Sequence, residues 1–228
     1  MRRELLRWAQ HISLAIAILA LAASGWLITR RVQERTQEQA DLAAGRRVGL
    51  VAGHSGYDSG AVCPDGLTEV EVNQDIAERT AARLRRMGAQ VDLLQEFDPR
   101  LAGYRADVFV SIHADTCEGN YSGFKVARVE HSALPEAEDR LVDCLWQQYE
   151  AATGLARHPD TITFDMREYH AFGEIDPQTP GAIIEVGFLG GDRWLLTKQP
   201  ERMAKGVADG ILCFLGSGIG DQESGRSR

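Results

Sequence analysis

An α/β fold follows from the way this 228-residue sequence is punctuated. Short apolar runs alternate with amphipathic helical patterns, and that alternation predicts a mostly parallel central sheet flanked by helices on both faces. A third feature, an apolar segment near the N-terminus, adds a single transmembrane helix to the prediction.

The predicted strands are Val48–Ala52, Val91–Leu94, Val108–Ile112, Phe124–Val129 and Ala182–Val186. Each is too short for a helix and too apolar for a solvated loop, so each reads as a buried strand. Helical stripes lie between them. Val72, Ile76, Thr80, Leu84 and Met87 recur about every four residues and share one helix face, with Gly88 as its C-cap. Leu134, Leu141, Leu145 and Tyr149 form a second stripe, closed by Gly154. Pro200 opens a third helix, whose inner face carries Met203, Val207, Ile211 and Phe214.

The N-terminal segment is of a different kind. Arg2, Arg3 and Arg7 precede a run of 17 residues without a charge, Ile12 to Ile28, and Arg30 and Arg31 close it. The run is short for a bilayer span but longer than a signal-peptide core. An uncleaved anchor is the first expectation, ahead of a cleaved signal and of a buried core helix. Trp26 suits an interfacial aromatic, and the flanking arginines leave orientation tied. The expected organisation is a basic N-terminus (1–11), the anchor or signal (12–29), a polar stalk (30–46), one globular domain (47–216) and a disordered tail (217–228).

The net charge of −8 argues against a nucleic-acid partner, which would need a basic face. The informative residues stand at strand ends, where open α/β sheets collect their function. The first strand runs into Gly53-His54-Ser55-Gly56-Tyr57-Asp58-Ser59-Gly60-Ala61, and another ends Ser111-Ile112-His113-Ala114-Asp115. Glu185 lies inside the apolar run Ala182–Phe188, where a carboxylate is costly unless it is paired or meets a metal. Taken singly, each residue has an ordinary explanation. The histidines could be structural, Glu185 an ion-pair partner, and Glu69 an acid at a helix N-terminus. Together, two His and two Glu are what a catalytic zinc site needs: three ligands, an open position and a carboxylate base. No short HExxH-type motif is present.

These segments resemble the zinc-dependent N-acetylmuramoyl-L-alanine amidases of the AmiA/AmiC type. The stretch Val51–Ala61 is similar to that family's opening motif. Glu69, with Glu71 and Asn73, is similar to its acidic helix start, and Ser111–Asp115 to its second histidine motif. Ile184-Glu185-Val186-Gly187-Phe188-Leu189 is similar to its terminal glutamate motif. The motifs occur in the family's order over residues 47–215. The resemblance implies Zn2+ held by His54, Glu69 and His113, with Glu185 as catalytic base and acid. It implies cleavage of the bond between N-acetylmuramic acid and L-alanine in peptidoglycan. It also implies an extracytoplasmic domain, which the N-terminal run Ile12–Ile28 would anchor to the cytoplasmic membrane, or leave secreted if the segment is cleaved. Asp58 and Asn73 would orient ligands or loops behind the metal.

Some residues stand outside the pattern. Cys63 and Cys117 follow two of the motifs; a disulfide, free thiols and metal ligation are all open, and an oxidising compartment favours the disulfide. Cys144 and Cys213 read as small buried hydrophobes. Arg167 and His170 are either loop residues or contacts to the stem peptide. Two other functions use the same residues differently. A zinc carboxypeptidase trimming stem peptides would need a basic residue for the terminal carboxylate. A non-catalytic wall-binding module should have lost a ligand or the base, and all four positions are present. Activation by a protein partner is left open.

Overall fold

In the computed structural model the backbone is described for residues 1–224, and side chains are described except at residues 2–18 and 218–228. The chain divides into two compact units, Met1–Asp41 and Leu42–Arg228.

The first unit is helical. It lies within α1 (Arg2–Ala43), which runs without a break through the expected anchor, 12–29, and through the expected stalk, 30–46, as far as Ala43. Among the described residues no helix is long and apolar enough to cross a membrane. Part of the expected anchor, residues 12–18, lies outside the described side chains.

The second unit is built on five strands: β1 (Arg47–Ala52), β2 (Gln90–Leu94), β3 (Val108–Asp115), β4 (Lys125–Ala127) and β5 (Gly181–Phe188). Their spatial order is β2-β1-β3-β5-β4. The first four in that row are parallel, and β4 is an antiparallel edge on β5. The expected strand 124–129 is thus only three residues long. Arg128 leaves the ladder to pair with Asp139, at 2.5 Å.

The helices are α2 (Glu69–Arg86), α3 (Pro135–Thr153), α4 (Phe164–Arg167), α5 (His170–Glu174), α6 (Arg193–Lys198) and α7 (Pro200–Ser224). Helices on both faces were expected; the two coverings prove unequal. The long helices α2, α3 and α7 share one face. There Val48, Leu50, Ile112, Ile184 and Val186 meet Ile76, Leu84, Leu145, Val207 and Ile211. The opposite face is covered by short segments: residues 99–101, α4 and α5 close over Val51, Phe109 and Ile183 with Leu101, Met166 and Ile175. A period of two along each strand assigns alternate residues to these two layers.

Gly206 and Gly210 let α7 approach α3 closely. A Cβ at either would lie 2.7 Å from the side chain of Tyr149 or Leu145. The same two helices are joined by a Cys144–Cys213 disulfide. These cysteines were expected to be plain buried hydrophobes. Nothing in a helical stripe announces that two stripes will face each other.

Helix ends follow local chemistry. Thr68 and Glu71 form a capping box at the start of α2, which supplies partners for backbone N–H groups that the first turn leaves free. Met87 caps its end, with Gly88 following in the left-handed region at φ 92°. Gly154 ends α3 at φ 75°. The final helix passes the expected boundary at 216 and reaches Ser224; the rest of the expected disordered tail, 225–228, lies outside the described residues.

Candidate metal centre

The carboxyl ends of β1, β3 and β5, with the N-terminus of α2, converge on one point. His54 follows β1, His113 lies on β3 and Glu69 opens α2; one ligand-type atom from each lies within 4.8 Å of the others. Glu69 Oε1 is the hub, 3.2 Å from His54 Nε2 and 3.3 Å from His113 Nδ1. Its other oxygen accepts the Ala61 N–H at 3.1 Å. His113 and Glu69 are buried, and His54 is half-buried.

Two backbone features make room for this cluster. A Cβ on Gly53 would fall 2.4–2.5 Å from the His113 ring, so only glycine fits there. His54 itself adopts φ 66°, a left-handed conformation that non-glycine residues avoid. The glycine-rich segment 53–60 was expected to turn on its glycines; the histidine takes the strained position too.

Neighbouring side chains fix the cluster. His54 Nδ1 is 2.6 Å from Asp58 Oδ1, which leaves Nε2 to face Glu69. Asn73 is fully buried and donates to Glu69 Oε1 and to the Gly53 carbonyl, each at 3.1 Å. Glu185 pairs in register with His113 across β3–β5, just before an irregularity in that ladder. A period of two sends both side chains to the thinly covered face of the sheet. Glu185 Oε2 is buried with no hydrogen-bond partner among the described residues.

Electrostatics follow from this crowding. The hydrogen bond to Glu69 raises the His54 pKa to about 9, against the opposing effect of burial. Burial pulls His113 down, but Glu69, Glu185 and Glu96 outweigh it and its pKa rises. Glu69 is pushed well below the usual carboxylate range; hydrogen bonds from both histidines overcome its desolvation. Glu185 goes the other way: burial lifts it to about 7. A shared carboxylate with two imidazoles is a borderline-hard donor set that suits zinc. The adjacent carboxyl group, with a pKa near neutrality, has the proton affinity of a general base.

His170 also reaches this region, with Nε2 2.9 Å from Glu96 Oε1. Arg167 does not. It is exposed and lines a shallow pocket with Ala127, Arg128 and Val129 at the β4 edge. A sequence in which Arg167 and His170 stand three apart gives no hint that a helix break separates them. Cys63 and Cys117 form a disulfide with Cα atoms 5.4 Å apart, joining the loops that follow His54 and His113. Glu96 was missed altogether. It is buried after β2 and accepts the His54 N–H at 2.6 Å. The signal that could have found it was its place just beyond a parallel strand's carboxyl end.

Fold and site together fit one class: hydrolases with a His–Glu–His cluster able to hold a metal ion at the carboxyl edge of an α/β sheet. Within that class, the chain belongs to the N-acetylmuramoyl-L-alanine amidase family, whose profile matches residues 48–213. It is 40% identical to N-acetylmuramoyl-L-alanine amidase LytC of Bacillus subtilis, over 75% of this chain and 36% of that protein. It is 33% identical to Uncharacterized protein YqiI of the same organism, over 76% of this chain and 87% of YqiI. The chain therefore spans about a third of LytC and most of YqiI. Its fold is similar to that of the CwlD amidase from Clostridioides difficile, solved in complex with the GerS lipoprotein. That match has a TM-score of 0.61 at 21% identity and covers 76% of this chain and all of the other. Ami1 from Mycobacterium smegmatis gives a TM-score of 0.60 at 22% identity, with 77% and 99% covered.

Proposed function

We propose that this protein hydrolyses the amide bond between N-acetylmuramic acid and L-alanine in peptidoglycan, using zinc held by His54, Glu69 and His113. Family membership and the His–Glu–His cluster support the reading. The observation that carries it is the pairing of that cluster with Glu185 across β3–β5. The bound zinc supplies Lewis acidity, bringing water towards a pKa of ~7 and polarising the scissile carbonyl. Glu185 accepts the proton of the attacking water. As the carbon–nitrogen bond breaks, the same carboxyl group delivers that proton to the leaving alanine nitrogen. Asp58 and Asn73 hold His54 and Glu69 in place. Lys125, the register partner of Glu185 on β4, is engaged by Asp115 at 2.5 Å and by the Thr161 carbonyl, so it is not offered to a peptide carboxylate.

The apolar run Ile12–Ile28 then tethers the domain to the cytoplasmic membrane, on its outer side. Leu19, Leu21, Trp26, Leu27 and Ile28 are all half or more exposed on α1. The globular domain is taken as 47–216. A protein partner, of the kind CwlD has in its complex with GerS, is compatible with this arrangement.

The test is digestion of purified peptidoglycan by the full chain, with zinc and with chelator. Intact stem peptides bearing a free L-alanine amine, lost on chelation and restored by zinc, are expected. Stems shortened at their carboxyl end would identify a peptidase instead, and the reading would fall.

A further inference from the structure

We propose that Glu96 is a positioning residue of the metal centre, holding the backbone of His54 and the ring of His113 together, and that His170 and Tyr169 hold Glu96 in turn. The proposal rests on the reading that His54, Glu69 and His113 carry zinc.

One carboxylate oxygen serves both histidines. Glu96 Oε2 accepts the His54 N–H at 2.6 Å and lies 3.6 Å from His113 Nε2. The first contact is made to the residue with φ 66°, whose conformation needs outside support. The second has a chemical logic. His113 turns Nδ1 towards Glu69, so a metal bound there leaves its proton on Nε2. That Nε2 is buried and has no hydrogen bond within the ordinary limit. The group it faces is Glu96. A carboxylate behind a metal-bound imidazole fixes the tautomer and the ring orientation and raises ligand basicity. Asp58 stands in the same relation to His54 Nδ1, but with an exposed side chain.

Glu96 is itself only 5% exposed, so its charge has to be met within the protein. His170 Nε2 lies 2.9 Å from its Oε1, and the other ring nitrogen of His170 lies 2.9 Å from Glu174. Burial pulls the His170 pKa down, but the two carboxylates outweigh it and favour the protonated ring. The Tyr169 hydroxyl, which accepts from Ser111 at 3.0 Å, adds a hydrogen bond to Glu96. Phe97 stacks on His170 with ring centroids 4.2 Å apart. His170 therefore acts through Glu96 and has no need to touch substrate.

The experiment uses the full chain and the variants Glu96→Gln, Glu96→Asp, His170→Gln and Glu96→Gln/His170→Gln. Zinc affinity is read by competition with a chromophoric chelator, the His113 ring nitrogens by NMR, and kcat and KM on peptidoglycan. Glu96→Gln should weaken zinc binding about 10–100-fold, shift the His113 Nε2 signal and lower kcat with KM unchanged. Glu96→Asp should recover part of the affinity. His170→Gln should lose less than Glu96→Gln and add nothing on top of it. Affinity within twofold of wild type and an unmoved His113 signal in Glu96→Gln would overturn the proposal. A loss that tracks thermal stability alone, with no change at His113, would do the same. A wild-type chain that takes up no zinc would overturn the metal centre and this proposal with it.

Discussion

On the helix-covered face of the sheet, β1, β3 and β5 present Val48, Leu50, Val110, Ile112, Ile184 and Val186, all fully buried. On the other face the same strands present Gly49, Ser111, His113 and Glu185. The residues alternate, so a single strand serves both roles with no segment given over to either. The first face is covered by three long helices and carries the stability. The second is covered by pieces of three to five residues and holds the His113–Glu185 pair of the candidate metal centre. A thin covering leaves room for a substrate, and beneath it His113 Nε2 and Glu185 Oε2 are buried without a hydrogen bond among the described residues. Substitutions on the two faces should therefore separate activity from stability.

The largest effect is expected at Glu185. Glu185→Gln removes the proposed base but keeps the shape, and should lower kcat by about 10²–10⁴-fold, with zinc affinity and melting temperature near wild type. A variant that keeps its activity would remove Glu185 from the mechanism. Next is Gly53→Ala. The added Cβ would meet the His113 ring at 2.4–2.5 Å, so zinc binding should be lost or severely weakened. Full retention of zinc would mean that the backbone gives way there. Leu50→Ala acts on the opposite face. It should cost about 2–5 kcal/mol in denaturant unfolding and leave the zinc dissociation constant unchanged at temperatures where the protein stays folded. Equal losses in both would show that the two faces are coupled.

The division between the faces also explains what could be read in advance. His54, His113 and Glu185 were legible because a polar residue inside or just after an apolar run is conspicuous. Glu69 was legible only beside the others, since an acid at a helix start has an ordinary use; here it opens α2 and also stands in the cluster with His54 and His113. Glu96 was not legible. In the segment Gln95-Glu96-Phe97-Asp98 it looks like any loop acid, and only the parallel pairing of β2 with β1 brings it beneath His54. The same holds for Cys144 and Cys213, joined by packing between helices that local pattern cannot see. Unequal covering of the faces was hidden as well, because strands buried on both sides look alike whatever buries them.

Proton binding sharpens the comparison in a measurable way. The pKa of His54 rises from 6.5 to about 9 in the folded protein, and that of Glu185 rises from 4.5 to about 7. Each group binds its proton more tightly when folded. The stability due to Glu185 is complete below its unfolded value and is lost as pH rises towards 7. That due to His54 is complete below 6.5 and is lost as pH rises towards 9. The metal-free protein should therefore lose stability from the acid side upwards. Zinc requires unprotonated imidazole, so its stabilisation should grow over the same range. Melting curves at pH 5.5 and pH 8 should show a small zinc-induced rise at the first and a large one at the second. A zinc effect independent of pH would remove both histidines, His54 and His113, from the ligand set.

The smallest effect should come where the two faces meet. The body of α2 packs into the apolar layer, while its first residue, Glu69, reaches the metal centre. Thr68 caps this helix through the Glu71 N–H, and Glu71 returns the bond to the Thr68 N–H at 3.0 Å. Thr68→Ala should cost about 1 kcal/mol in unfolding free energy. Glu69 has its own supports, Asn73 at Oε1 and the Ala61 N–H at Oε2, and neither depends on the cap. Zinc affinity should accordingly change less than twofold. A larger loss of zinc would mean that the helix start, and with it the stable face, sets the position of Glu69.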